Sequence, residues 1–318
     1  MTALWRISGG RRLTPAPFII AGIVNLTPDS FSDGGSHIAL HSAMRRVQSV
    51  VDEGALIVDL GPESTRPGAQ DIGHQEEWAR LEPVLARCLA LRFAPAAKST
   101  ASPLPAPLAS AALPTQASTA PPALPFYLSV DTFRAETAKA ALTLHTSISP
   151  KAAPVDIIND ISGGAFDPAM DDILACFKPG YVLCHSYARP AVMQNNPQYN
   201  DVVEELLRFF EKSMTRLVKA GLPEECVALD PGIGFGKTLD HTLAIFKNVH
   251  RFAALGRPLY FGISRKSFLE RLIGLPLAAR DPATAVATAL LAQKGVAIHR
   301  VHDVRLAAEA LALAAAMH

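Results

Sequence analysis

The sequence predicts an α/β protein built as one closed barrel of eight strand-helix units. Three observations predict it. Short β-rich apolar runs alternate with longer helical stretches along the chain. Nearly every run ends in polar or glycine-rich residues. The length, 318 residues, suits one large barrel. Alternating strands and helices imply parallel strands joined by crossover helices. Eight such units favour closure into a (β/α)8, or TIM, barrel over an open doubly wound sheet.

In chain order, residues 4–13 form an expected hairpin turning at Gly9-Gly10, placed to plug the bottom of the barrel. The eight strand runs are 18–25, 56–61, 127–131, 155–161, 181–185, 226–230, 259–264 and 297–302. Helical patterns between them include 42–53, 75–91, 134–144, 201–220 and 284–294, and the Ala-rich stretch 306–317 reads as a closing amphipathic helix. Residues 94–125 break the pattern. They contain 11 Ala and 8 Pro, with Lys98 the only charge. Proline at that density prevents helix and sheet ladders. The segment is therefore read as a flexible insertion between the second helix and the third strand. Such a connection lies on the face opposite a barrel's active site. The whole chain, 1–318, is read as one barrel carrying this insertion.

Composition excludes several function classes. A hydrophobic content of 49% is ample for a core, and a net charge of +1 gives no nucleic-acid footprint and no basic membrane surface. An anionic ligand must then be held by local cations. No apolar run is long enough to span a bilayer. Residues 1–13 lack the apolar stretch of a secretory signal. Cys88, Cys176, Cys184 and Cys226 form no CxxC pair, which fits a reduced cytoplasmic protein.

The chemistry sits where the strands end. The runs lead into Asn25–Gly35, Gly61–Gly68, Ser129-Val-Asp-Thr132, Asn159–Gly164, His185, Asp230–Lys237, Ser264-Arg-Lys-Ser267 and Arg300-Val-His-Asp303. Strand carboxyl ends are where a barrel builds its site, so these groups should converge on one mouth. Alternation along a strand puts Arg300 with His302, Asn159 with Ile157 and Ile161, and Ser129 with Asp131. Asp59 and Asp160 are assigned to the helix layer or to loop bracing at least as readily as to a ligand. Asp131, Asn159, Asp230 and Lys266 suit a flat, amide-rich heterocycle: carboxylates accept from its N–H groups, and amide and ammonium groups donate to its ring acceptors. Arg66, Lys266, Arg300 and His302, with Asn25, suit a polyanion such as diphosphate. Each residue alone is weak, because a lone strand histidine is usually packed and a lone aspartate usually caps a helix. The set carries the reading. Residues 231–238 imitate a phosphate loop, but Pro231 stands where its first glycine belongs. The histidines show no zinc-binding spacing.

These motifs, in this order and spacing, resemble the dihydropteroate synthases. Asn25-Leu-Thr-Pro-Asp-Ser-Phe-Ser-Asp-Gly-Gly35 and Asp59-Leu-Gly-Pro-Glu-Ser-Thr-Arg-Pro-Gly68 are similar to that family's two signatures, and the likeness covers the chain except the Ala/Pro segment. The resemblance implies a transferase of folate synthesis. It would join 6-hydroxymethyl-7,8-dihydropterin diphosphate to p-aminobenzoate through a cation-like pterin-methyl transition state. Asp131, Asn159, Ile161, Cys184, Asp230 and Lys266 would hold the pterin. Asn25, Arg66, Arg300 and His302 would bind the diphosphate, with Asn25 touching a Mg²⁺ carried by that group. Phe31, Thr65, Pro67, Phe235, Lys266 and Ser267 would frame the arylamine. Asp131, Lys266, Arg66, Arg300 and His302 are the expected catalytic set. Two departures stand out: Pro62 replaces a usual glycine, and Cys184 stands where a methionine often precedes the histidine. A homodimer through 284–294 and 306–316 and sulfonamide binding are further implications. The alternatives are a methyltetrahydrofolate-type pterin methyltransferase, against which Arg66, Arg300 and Phe31 argue, and a non-catalytic pterin-binding paralogue, which would be expected to lose cationic ligands.

Overall fold

The structure, a computed structural model, describes residues 4–27, 36–66, 68–93, 126–144 and 153–317. Strands β1 (Trp5–Arg6) and β2 (Arg12–Leu13) pair antiparallel as the expected hairpin, and Gly9 and Gly10 supply the positive φ of its turn. The barrel follows: β3 (Ile19–Asn25), α1 (Ser36–Asp52), β4 (Ile57–Gly61), α2 (Gly73–Phe93), β5 (Tyr127–Asp131), α3 (Ala135–Thr143), β6 (Ile157–Asp160), α4 (Met170–Phe177) and β7 (Gly180–Cys184). Then come α5 (Val202–Ala220), β8 (Val227–Asp230), α6 (Leu239–Lys247), α7 (Val249–Ala253), β9 (Tyr260–Phe261), α8 (Phe268–Ile273), α9 (Arg280–Ala292), β10 (Ile298–Val301) and α10 (Val304–Ala316). The eight-stranded sheet runs β8-β7-β6-β5-β4-β3-β10-β9, all parallel, and a Leu229–Leu259 bridge joins its two ends. The barrel is closed.

Side-chain alternation divides the core in two. Outward residues such as Val24, Val58, Val130, Ile158, Leu183 and Leu229 pack under Val47, Leu85, Leu206, Phe210 and Leu311 of the helices. Inward residues Ile19, Ala21, Ile57, Ile157, Val182, Ala228, Tyr260 and Ile298 meet Trp5, Ile7 and Leu13 of the hairpin. The hairpin is therefore the expected plug. Trp5 Nε1 donates to the Cys226 carbonyl over 2.7 Å, which satisfies the indole as it is buried. Gly180 makes room for it, since a Cβ there would stand 2.8 Å from Ile7 Cγ2. Buried Asp156 ties the same end together, accepting from Arg92 Nη1 at 2.8 Å, from the Leu128 amide at 2.8 Å and from Arg11.

Element ends differ from the sequence expectation in an explicable way. Helix α1 begins at Ser36 rather than 42, and α9 at Arg280 rather than 284. Apolar periodicity locates the buried face, Ala43, Val47 and Val50 in α1, but says little about a polar first turn. Helix α5 shows both signals. Asp201 caps it by accepting from the amides of Val203 and Glu204, and Gly221 at φ 118° ends it. The Ala/Pro segment 94–125 lies outside the described residues. Its flanks, the end of α2 and the start of β5, meet at the plugged end of the barrel.

Candidate active site

At the other end the strands deliver the expected polar groups to one mouth, in layers. Deepest lies Asp59, fully buried, which accepts from Ser129 Oγ at 2.5 Å, Asn159 Nδ2 at 3.2 Å and Arg300 Nε at 2.6 Å. Asp59 therefore points into the barrel, and its assignment to the helix layer or to a loop brace is corrected. Its parity with Ile57, an interior residue, carried the signal. Asp160 does brace a loop, accepting from Ser162, the Gly164 amide and Tyr181 Oη.

Above Asp59, Arg300 turns its second edge to Asp131, with Nη2 to Oδ2 at 2.6 Å. One guanidinium thus serves two carboxylates. Burial pushes the Asp131 carboxyl up to about 7, Arg300 opposes that shift, and the neighbouring Asp59 adds to it. Across the mouth, Asp230 Oδ1 accepts from the Gly232 amide at 2.8 Å. Lys266 Nζ donates to the Ile233 carbonyl at 2.5 Å and lies 3.9 Å from the centroid of the Phe235 ring. Burial draws the Lys266 ammonium down to about 8, against the pull of Asp230. Phe133, Ile161, Cys184, Met193 and Phe235 form an apolar cluster beside these groups. Convergent hydrogen-bonding groups against an apolar wall match a flat heterocycle with a polar edge.

The loops behind this wall are cross-tied. Lys237 Nζ reaches His185 Nδ1 at 3.0 Å, the His185 carbonyl at 3.3 Å and the Phe235 carbonyl at 3.1 Å. Gly232, at φ 68°, passes so close that a Cβ would stand 1.9 Å from the His185 carbonyl oxygen. Lys237, which made 231–238 look like a phosphate loop, is thus a structural tie between the loops after β7 and β8.

On the opposite side of the mouth, Asn25 and His302 open onto a cavity of about 640 Å³, lined also by Arg45, Arg46, Arg265 and Arg305. His302 Nδ1 is 2.9 Å from Ser264 Oγ, and burial, with Arg265 and Arg300 nearby, pulls its imidazole down to about 3. The uncharged ring therefore offers a hydrogen bond rather than a charge at neutral pH. Arg265 and Arg46 escaped the sequence reading, although Arg265 sits inside the Ser264–Ser267 motif. Arg265 pairs with Asp281 by two bonds of 2.7 Å, and Arg46 donates to the His302 carbonyl. Arg300 is set deeper than expected for a diphosphate clamp, below His302 and facing the Asp59–Asp131 pair. Arg66 is exposed at the tip of the β4–α2 loop, with Thr65 half-buried beside it; Ser267 is exposed at the start of α8. Phe31 and Pro67 lie outside the described residues.

Fold and site together define a pterin-binding barrel. A family model described as a pterin binding enzyme matches residues 21–93 and 118–302, and its break falls inside the Ala/Pro segment. The dihydropteroate synthase of Bacillus subtilis (strain 168) is 35% identical over 289 residues, 90% of this chain and 84% of that protein. Two solved structures are also similar. The dihydropteroate synthase of Xanthomonas albilineans with 4-aminobenzoic acid has a TM-score of 0.80 at 31% identity, over 100% of this chain and 98% of that one. The Yersinia pestis enzyme in a sulfonamide drug complex has a TM-score of 0.78 at 32% identity, over 98% of each chain. This chain belongs to the dihydropteroate synthase family. The comparisons do not favour the methyltransferase barrel or the non-catalytic paralogue.

Proposed function

We propose that the chain condenses 6-hydroxymethyl-7,8-dihydropterin diphosphate with p-aminobenzoate, releasing diphosphate and 7,8-dihydropteroate. The observation that carries this is the adjacency of two unlike surfaces. An apolar-walled set of Asp131, Asn159, Asp230 and Lys266 stands next to an arginine-lined cavity entered past Asn25 and His302.

In this reading Asp131, Asn159 and Asp230 accept from and donate to the pterin edge, and Ile161 and Cys184 pack against its ring. Asn25, His302 and Arg66 bind the diphosphate, with Arg300 behind them. The pterin-methyl C–O bond breaks and its electron pair leaves with the diphosphate. Positive charge develops on the methyl carbon, and Asp131 faces it. With both carboxylates ionised, Asp59, Asp131 and Arg300 together carry one net negative charge, placed to stabilise that cation. The arylamine nitrogen, framed by Phe31, Thr65, Pro67, Phe235, Lys266 and Ser267, then forms the new C–N bond and releases a proton to solvent.

Mg²⁺ belongs to this reading as cargo of the diphosphate. Among the described residues no three His, Cys, Asp or Glu side chains converge as a metal cage, while Asn25 offers one amide oxygen beside the cationic cavity. That donor set fits a magnesium ion held mainly by diphosphate oxygens and water, where it would offset the leaving group's charge. A homodimer through α9 and α10 completes the proposal. Val286, Leu290 and Leu313 are exposed there, with Leu272, Ile273 and Leu277 on the segments before α9, apolar side chains that a partner subunit would cover. All four cysteines are unpaired, which fits a cytoplasmic setting, and no helix among the described residues is long and apolar enough to cross a membrane. The test is an assay of dihydropteroate and diphosphate formation with and without Mg²⁺. Absence of both products with both substrates and Mg²⁺ supplied would overturn the assignment.

A further inference from the structure

We propose that Arg134 is a positioning residue that pins both ends of the β4–α2 loop and thereby sets where Thr65 and Arg66 meet the substrates. The inference rests on the function proposed above, which gives Thr65 and Arg66 their roles.

The loop spans 62–72, and two carboxylates bracket its tip, Glu63 before it and Asp71 after it. Both end on one guanidinium. Arg134 Nη1 donates to Glu63 Oε2, and Arg134 Nη2 donates to Asp71 Oδ1. Nη1 also lies 3.2 Å from Glu77 Oε2 on α2. The contact is enclosed, with side-chain exposures of 11% for Arg134 and 8% for Glu63. Burial raises the Glu77 carboxyl, so Glu77 takes up a proton more readily than a free carboxylate; it also accepts from Thr137 Oγ1. The loop carboxylates Glu63 and Asp71 are the two that Arg134 holds on either side of the tip.

Arg134 is itself held firmly. It follows Asp131 by three residues on the segment leading into α3, and its amide donates to Thr132 Oγ1 at 3.1 Å. Its guanidinium carbon lies 4.4 Å from the centroid of the Phe133 ring, a member of the apolar wall. The pin therefore references the second loop to the segment that carries Asp131. Lesser contacts trim the loop: Arg80 Nη1 to the Pro62 carbonyl at 3.1 Å, Arg189 to Asp71 at 3.3 Å, and the Gly68 amide to the Pro190 carbonyl at 3.1 Å. None of these joins its two ends. Without Arg134, Glu63 and Asp71 would face each other as like charges, so the loop would be driven open as well as released. A lysine presents a single point charge in place of two parallel donors, and cannot hold both ends in the same geometry.

The test uses Arg134→Gln and Arg134→Lys in the full chain. Amide exchange is read over 62–72, together with steady-state kinetics and binding of 6-hydroxymethylpterin. The expected result is faster exchange over 64–70 and a KM for p-aminobenzoate raised about tenfold or more in Arg134→Gln, since small misplacements of positioning groups are costly. Arg134→Lys, which keeps the charge and most of the aliphatic stem, should fall between parent and Gln variant. Pterin affinity should stay within about twofold, because Asp131, Asn159 and Asp230 are untouched. In a Thr65→Ala/Arg66→Ala background the effect of Arg134→Gln on kcat/KM should largely vanish. Unchanged exchange over 62–72 in both variants overturns the pin, as does full additivity with the Thr65/Arg66 changes. Should the parent chain form no dihydropteroate, the exchange measurement still decides the pin, so its failure is distinct from failure of the proposed activity.

Discussion

Arg300 and Asp131 are joined by a 2.6 Å hydrogen bond from Nη2 to Oδ2, at the level where the proposed reaction builds up positive charge. Asp131→Asn keeps the size of that side chain and one acceptor oxygen, but removes its charge. An interaction that matters mainly in the transition state lowers kcat more than it raises KM. The expected loss is on the order of 10²–10³ in kcat, with pterin binding largely kept. Steady-state kinetics with titrated pterin diphosphate decide it. An unchanged kcat with a steeply raised KM would make Asp131 a ring-positioning residue only.

A narrow pH profile is the second prediction. Asp131 is pushed up to about 7 and loses its charge below that; Lys266 is drawn down to about 8 and loses its charge above that. If both charges act on the free enzyme, kcat/KM for the pterin substrate rises through the first value and falls through the second. Each limb is assigned by the variant that removes it. Asp131→Asn should abolish the acid limb and Lys266→Arg should displace the alkaline one; a profile identical in all three proteins would break the assignment.

Acid lability is expected from His299, which is 1% exposed and whose burial lowers its imidazole to about 4. Between about 6.5 and 4 the unfolded chain takes up a proton that the folded chain refuses, so stability falls as pH drops through that window. Above 6.5 the contribution is fully present. One such group changes the slope by at most about 1.4 kcal/mol per pH unit. His299→Gln can still donate to the Val296 carbonyl, the ring's partner among the described residues, at 3.1 Å in the parent. Urea titrations at several pH values should show a shallower acid slope in the variant. Equal slopes would mean that His299 does not titrate in that window.

Deleting 95–124 and bridging the ends with a short Gly/Ser linker should leave turnover nearly unchanged. The flanks meet beside the hairpin plug, at the end of the barrel remote from Asp131. A large loss of turnover with an unaltered circular dichroism spectrum would place the insertion in the catalytic machinery.

Much of the barrel was legible because its signals are local. Alternating strand and helix patterns gave the eight parallel strands, and Gly9-Gly10 gave the hairpin. Strand-end position alone places Asp131, Asn159, Asp230 and Lys266 at one mouth. Asp59 is legible only when alternation is carried back along β4 to Ile57, which puts both side chains inside the barrel. Arg134, Arg46 and Arg265 were missed for a different reason. Their importance comes from which loop or helix stands beside them, and Glu63, Asp71 and Arg134 are brought together only by the closed fold. Arginine depth was equally unreadable: alternation gives the side of a strand, but not how far down the barrel a guanidinium such as that of Arg300 folds back to its carboxylates.

The hairpin plug is a long-range element for the folding chain. The hydrogen-bond partner of Trp5 at Cys226 lies 221 residues further along the chain, and its neighbours Ala228, Tyr260 and Ile298 lie further still. Ile7 and Leu13 can meet the indole locally, but the hydrogen bond that satisfies it forms only once β8 is in place. The barrel floor is therefore closed by contacts of high sequence separation, which makes seating of the plug a late and slow step of folding.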